Sequence, residues 1–180
     1  MATRNPHLIA TRIVQDAGGE LVGRTRLQKV AYLMQLAGFG DELGFEYRHY
    51  GPFSQDLARG MDIATAFGAV KEVEAQADWG GWYSAYSVEH PEQPDDPARA
   101  AFVQEAKKIG AIELELAATA AYLFVVEGIG RTRKGNPWEE TRRRKPSKAA
   151  EGRLERAFAA YDKLRKAVKT PRALPALPSP

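Results

Sequence analysis

The sequence predicts a mainly α-helical protein that contains one small β-hairpin. Several segments place apolar residues at helical spacing between capping residues and glycines, a pattern typical of amphipathic helices. Residues 70–75 alternate apolar and charged side chains. The aromatic segment 82–88 follows them after a turn at Gly80-Gly81, so the two segments predict a β-hairpin.

Three helices followed by a hairpin is the order of a winged helix, and further helices follow here. We expect one mostly helical domain over residues 1–168. Its winged-helix-like part would span 6–90, and a C-terminal helical bundle would span 96–168. Residues 169–180 contain four prolines and predict a disordered Pro-rich tail.

The helix boundaries are predicted from caps and breakers. The hydroxyl of Thr25 or Ser54 can accept a hydrogen bond from a free N–H group, so these residues should cap the second and third helices. Asp96 and Asn136 each precede a proline, which suits the first position of a helix. Ser147 is expected to cap the last helix.

The long helical stretch after Pro97 is expected to break near Gly110. From Leu114 onward its second half is apolar nearly all round, which predicts a central buried helix. Residues 116–126 are the most apolar stretch of the chain. That stretch is far shorter than the roughly 20 residues that a membrane span needs. We therefore expect a soluble, cytoplasmic protein.

The charges are divided unevenly along the chain. Residues 1–128 hold 11 Lys/Arg and 18 Asp/Glu, whereas residues 129–180 hold 15 Lys/Arg and 5 Asp/Glu. An asymmetry of this kind suggests a segment that faces a polyanion. The alternative is that the basic third folds back onto the acidic body.

The basic residues concentrate between positions 131 and 148. Arg and Lys bind phosphates, and an aromatic ring among them can stack on a base, so this segment is a candidate nucleic-acid site. The alternative is a solvated helix face and loop, with Trp138 packed in the core. The candidate residues are Arg131, Arg133, Lys134, Trp138, Arg142, Arg143, Arg144, Lys145 and Lys148.

The third helix argues against the usual winged-helix mode of DNA binding. It carries Arg59 as its only basic residue, against Asp56 and Asp62. A net negative recognition helix would be repelled by phosphates. Any nucleic-acid contact is therefore expected in the C-terminal third.

The sequence contains no pattern that predicts catalysis. Cysteine is absent, so thiolate zinc sites and cysteine nucleophiles are excluded. The three histidines, His7, His49 and His90, lie in separate segments and have no metal-ligand spacing. We expect a non-enzymatic protein without cofactor or metal.

Two segments carry a family resemblance. The sequence RTRLQKVAYL at 24–33, followed by YRHYGPFS at 47–54, resembles the YwgA-like proteins and the related Panacea domain of SocA-type antitoxins. Looser similarity continues in ELAAT at 115–119 and at Asn136-Pro137-Trp138. The resemblance implies a compact helical domain that acts as an antitoxin, adaptor or regulator. The motif residues that it implies for partner binding are Gln28, Lys29, Tyr32, His49, Tyr50 and Ser54.

These motifs also have a purely structural interpretation. Gln28 and Lys29 should be at least partly exposed on the second helix. The Tyr50-Gly51-Pro52 segment should be a turn, because glycine permits unusual φ angles and proline fixes its own. Tyr32, Tyr47 and Tyr50 would then pin the loop onto the helix.

Two compatible functions follow from the sequence. The first is an antitoxin- or adaptor-type module that binds a protein, either a toxin or a client. The second is a transcriptional regulator that binds nucleic acid through residues 131–148. The acidic third helix places protein binding slightly ahead, and no pattern predicts an oligomeric state.

Overall fold

The structure, a computed structural model, describes residues 5–180, which form seven helices and five short strands. The helices are α1 Pro6–Asp16, α2 Arg24–Leu36, α3 Gln55–Ala66, α4 Pro97–Lys107, α5 Ala111–Val125, α6 Pro137–Arg144 and α7 Arg153–Ala167. The strands are β1 Glu20–Val22, β2 Glu46–Arg48, β3 Gly51–Phe53, β4 Lys71–Gln76 and β5 Trp82–Ser87. Helices therefore dominate, as the sequence predicts.

The strands form two small antiparallel sheets. Strands β4 and β5 pair from Lys71 opposite Ser87 to Gln76 opposite Trp82, which confirms the predicted hairpin. Strand β1 pairs with the other edge of β5, giving the order β1-β5-β4. Strand β1 was not predicted, because three residues are too few to show an alternating pattern. The segment in which β2 pairs with β3 was predicted to be a loop.

Three predicted caps are confirmed. The Ser54 hydroxyl accepts a hydrogen bond from the Leu57 N–H at 3.3 Å, and the Asp96 carboxylate accepts one from the Arg99 N–H at 3.0 Å. The Asn136 side chain accepts one from the next helix. The break at Gly110 is also confirmed, since α4 ends before it and α5 begins after it.

Two predicted caps are wrong. Helix α2 begins at Arg24 after Gly23, so Thr25 lies inside the helix instead of capping it. Ser147 lies in a turn, and α7 begins only after Gly152, whose φ of 72° redirects the chain. This turn brings the side chains of Lys145 and Lys148 to Glu115 of α5.

Helix α5 is the centre of the molecule. All its residues from Leu114 to Leu123 are buried, and it packs on α2, α6, α7 and β3. The predicted C-terminal bundle is confirmed, since α5, α6 and α7 pack together. On the other side of the core, α1 packs on α3. No helix among residues 5–180 is long and apolar enough to cross a membrane.

The tail is packed on the body and is not disordered as predicted. It has no regular secondary structure. Nevertheless Leu174 is 2% exposed and Leu177 is 8% exposed. The composition rule failed here because two leucines between the prolines find an apolar surface on the helices.

Candidate functional site

The two family-like motifs meet where α2, the β2–β3 hairpin and the start of α3 come together. The Gln28 side chain accepts a hydrogen bond from the Ser54 N–H at 2.8 Å and donates one to the Ser54 carbonyl at 3.0 Å. Both residues are buried. The prediction that Gln28 is partly exposed is therefore wrong, because its amide is used to fix the start of α3 on α2.

Lys29 is buried beside this contact and is only 1% exposed, which corrects the second exposure prediction. Its ammonium donates a hydrogen bond to the Pro52 carbonyl at 2.8 Å. Burial lowers the pKa of Lys29 from 10.5 to about 7. The negative charge of Glu115 opposes this shift, whereas Lys145 and Lys148 add to it. The motif lysine thus holds the turn in place from inside the protein.

A buried carboxylate on α5 gathers the other two lysines. Glu115 is 3% exposed and accepts hydrogen bonds from the ammonium groups of Lys145 at 2.8 Å and Lys148 at 2.7 Å. Lys145 also donates to the His49 carbonyl at 2.8 Å. We call Lys29, Glu115, Lys145 and Lys148 the lysine cluster. It joins a residue of the predicted partner-binding motif, Lys29, to two residues of the predicted nucleic-acid site, Lys145 and Lys148.

The turn itself depends on Gly51. Its φ is +87°, a conformation that side chains rarely adopt, and a Cβ atom there would overlap the hydroxyl of Thr119 on α5. The Thr119 hydroxyl is buried and has no hydrogen-bond partner among the described residues. The close approach of the turn to α5 therefore leaves one polar atom unsatisfied.

The turn presents Tyr50 and His49 to solvent. Tyr50 is 51% exposed, and its ring stacks edge-on with His49 at 4.8 Å between centroids. The Lys148 ammonium lies 4.4 Å from the centre of the Tyr50 ring, a cation–π contact. Of the six motif residues implied for partner binding, these two are exposed, whereas Gln28, Lys29, Tyr32 and Ser54 are buried.

The tyrosines pin the loop, but mainly onto α5. Tyr32 contacts Phe45 of the loop at 5.2 Å between ring centroids. Tyr47 contacts Tyr122 of α5 at 5.9 Å. Tyr50 makes neither of these ring contacts, and its side chain is exposed. The predicted role therefore holds for Tyr32 and Tyr47, with α5 as the unforeseen support.

An apolar groove lies beside the exposed face of the turn, between α2 and α3. It encloses about 470 Å³. Its lining includes Tyr50, Phe53, Met61 and Tyr86. We call it the α2–α3 groove. A groove of this size can accept one or two apolar side chains of a partner.

Several residues of the basic segment are buried or paired with glutamates, although Arg142 and Arg143 stay exposed. Trp138 is fully buried, so the core alternative applies and its ring cannot stack on a base in this structure. Arg143 pairs with Glu140 at 2.6 Å, and Arg144 pairs with Glu140 and with Glu127, each at 2.7 Å. The hydrogen bond from Arg143 is the largest cause that lowers the pKa of Glu140 to about 2. Arg142 likewise lies near two glutamates.

Three basic residues keep their charge available at the surface. Arg131, Arg133 and Lys134 are exposed and have no ion pair with a carboxylate in the described part of the chain. The Arg131 guanidinium donates to the Val125 carbonyl at 2.7 Å, at the C-terminal end of α5. A cation is favourable there because free carbonyls carry partial negative charge.

Glu115 is a site residue that was not predicted from the sequence. It is the single charged residue between positions 114 and 126. A lone carboxylate in a helix predicted to be buried favours a cation beside it, so the sequence could have predicted a buried ion pair at Glu115. Which lysines supply the charge could not be inferred, since they lie 30 and 33 positions away.

The three histidines remain apart, and no group of three His, Asp or Glu side chains within residues 5–180 could hold a metal ion. In comparisons with known proteins, no family model matches the sequence and no curated protein is significantly similar to it. The resemblance to YwgA-like and Panacea-domain proteins therefore stays a prediction.

Proposed function

We propose that this chain is a non-enzymatic, cytoplasmic protein-interaction module of the antitoxin or adaptor type. Its partner would be a toxin or client protein that docks on Tyr50 and the adjoining α2–α3 groove. The observation that carries the proposal is the arrangement behind the turn. Buried Gln28, Lys29 and Glu115 all serve to hold an exposed aromatic side chain beside an apolar groove.

A rigid exposed tyrosine suits protein recognition. Tyrosine is enriched among the residues that dominate binding energy, particularly where it lies next to a pocket. Rigidity reduces the entropy lost on association. Burying Lys29, Lys145 and Glu115 is costly in desolvation, so the cluster is better explained by the position that it imposes on the turn.

The N-terminal part is proposed to be winged-helix-like, with the β2–β3 hairpin inserted before its third helix. The strand order β1-β5-β4 and the succession of helices support this. The exposed side of α3 carries Asp62 and Ile63 with a single arginine, and Phe67 follows it at 82% exposure. An acidic and apolar surface favours a protein partner over DNA at this helix.

Replacing Tyr50 with aspartate is expected to abolish association with the partner. The native host would express the tagged full-length chain, and the complex would be measured by quantitative affinity purification. The matched control is Trp79→Asp, which places the same charge on an exposed aromatic position in the turn between β4 and β5, outside the groove. The wild type and the control should retain one partner at fixed stoichiometry, and Tyr50→Asp should lose it. No stoichiometric partner, or equal retention by both variants, would refute the proposal.

A second function, nucleic-acid binding, is supported only by Arg131, Arg133 and Lys134. If they contact phosphates, wild-type binding to a labelled mixed-sequence DNA duplex should weaken steeply with salt. Replacing all three with alanine should reduce the slope of log K against log salt by up to about 3. The control replaces Arg142 and Arg143, whose charges are already paired. If the triple-alanine variant binds the duplex as tightly as the control variant, this site is excluded.

A further inference from the structure

The C-terminal tail, residues 169–180, lies in a groove that has the features of a polyproline-binding site. Its central sequence is Leu174-Pro175-Ala176-Leu177-Pro178. The two leucines are three positions apart, as are the two prolines, which matches the three residues per turn of a polyproline II helix. One side of such a helix would carry both leucines, and both are buried against the body.

The body offers a row of hydrogen-bond donors to the tail backbone. The Tyr161 hydroxyl donates to the Pro175 carbonyl at 2.8 Å, and the Trp138 indole donates to the Pro178 carbonyl at 2.9 Å. The Asn136 amide donates to the Ser179 carbonyl at 2.7 Å. Backbone carbonyls of a proline-rich segment have no partner within the segment, so side-chain donors are what such a segment needs.

The floor of the groove is aromatic. Trp138 packs edge-on against Phe158 at 5.6 Å and against Tyr161 at 6.5 Å between ring centroids. An aromatic surface with outward donors is how known domains bind polyproline II ligands. Here the ring of Trp138 is fully buried, and its indole N–H donates to the tail.

Outside this floor, the tail is held by Leu174 and Leu177, which belong to the hydrophobic core cluster. Its first part is anchored by the Arg172 N–H, which donates to the Ala37 carbonyl at 2.9 Å after α2. It forms no helix and pairs with no strand. A segment without helix or strand pairing can detach without unfolding a secondary-structure element.

We propose that the groove formed by Asn136, Trp138, Phe158 and Tyr161 is a binding site for a proline-rich segment of a second protein. The ligand would have a Leu-Pro-x-Leu-Pro pattern, and the chain's own tail occupies the site in its absence. This site goes beyond the proposed function and is independent of Tyr50 and the α2–α3 groove. The tail therefore competes with the ligand.

The test uses the full-length chain with Leu174 and Leu177 both replaced by aspartate, which should release the tail. The probe is a peptide with the sequence of residues 170–180, TPRALPALPSP. The control peptide carries aspartate at both leucine positions. Binding is measured by titration calorimetry and by the indole N–H resonances in a ¹⁵N–¹H spectrum. The chain has three tryptophans, and Trp138→Phe identifies the signal of Trp138.

The peptide should bind the tail-released variant and shift the Trp138 signal back to its wild-type position. Wild-type protein should bind it at least about tenfold more weakly, because the attached tail competes at millimolar effective concentration. The control peptide should not bind. Absence of peptide binding to the folded variant, or equal binding of both peptides, would overturn the proposal.

A milder variant guards against misfolding. If circular dichroism shows that the aspartate variant does not fold, the same measurements are made with Leu174 and Leu177 replaced by alanine. If this variant also fails to fold, the tail is an integral part of the core and the proposal of a displaceable occupant is wrong. A folded alanine variant that binds the peptide more tightly than wild type supports it.

Discussion

Replacing Glu115 with glutamine is expected to lower the free energy of unfolding by about 3–5 kcal/mol. Glutamine preserves the shape of the side chain but removes its charge. The ammonium groups of Lys145 and Lys148 would then lose the carboxylate that both of them contact. Breaking a buried ion pair from one side is more destabilising than deleting the whole pair, because an uncompensated charge stays buried. Urea denaturation at pH 7, followed by circular dichroism, measures the loss.

The matched control for this experiment is Glu113→Gln, two positions earlier on the same helix. Glu113 pairs with Arg156 at 3.4 Å on the protein surface. Surface pairs of this kind contribute about 1 kcal/mol or less. A similar loss in both variants would mean that the lysine cluster does not depend on the buried charge.

The stability of the wild-type protein is expected to rise between pH 7 and pH 9.5 because of Lys29. Burial lowers the pKa of Lys29 from 10.5 to about 7 in the folded state. Below pH 7 the ammonium is protonated in both states. Above it, the unfolded chain still holds a proton that the folded chain has released, so the free energy of unfolding increases with pH. The contribution of this one group approaches about 1.4 kcal/mol per pH unit.

Urea titrations at several pH values measure this slope, and Lys29→Met should reduce it. Methionine has a similar length without a charge, whereas Lys166→Met removes an exposed ammonium and serves as the control. The range stops at pH 9.5 because burial also raises the pKa of Tyr32 and Tyr161, whose ionisation on unfolding would lower stability above pH 10. An unchanged slope in Lys29→Met would contradict the assignment.

Both experiments bear on the proposed interaction surface. Lys145 donates to the carbonyl of His49, and Lys148 lies over the ring of Tyr50. The lysine cluster therefore connects the turn after α6 with the residues that the proposal assigns to partner binding. Loss of the partner in Glu115→Gln, in protein that remains folded, would show that the cluster positions Tyr50.

Local features of the fold were predictable from the sequence. Caps at Ser54, Asp96 and Asn136 act within three residues, so the sequence contains all the information that they need. The hairpin of β4 and β5 is similarly local. The buried character of α5 followed from composition alone, because a helix that is apolar on every side must be surrounded by protein.

The predicted sites depended on information that the sequence does not contain. Lys29 and Trp138 look accessible in a linear sequence, yet both are buried by segments far from them in the chain. The prediction of a disordered tail is wrong for the same reason. Its proline content indicates disorder, whereas its order depends on two buried leucines and on hydrogen bonds from Trp138 and Tyr161. Whether each of these residues is buried depends on which distant segments of the chain pack against it.

The sequence by itself determined that this chain is helical, where most of its helices begin and end, and that its charge is divided between an acidic body and a basic third. Only the tertiary structure decided what the basic third does. Of its eight basic residues between positions 131 and 148, three arginines pair with glutamates, two lysines pair with Glu115, and three have no carboxylate partner within residues 5–180. Charge pairing depends on distances of a few ångströms between remote residues, and no local pattern specifies such distances.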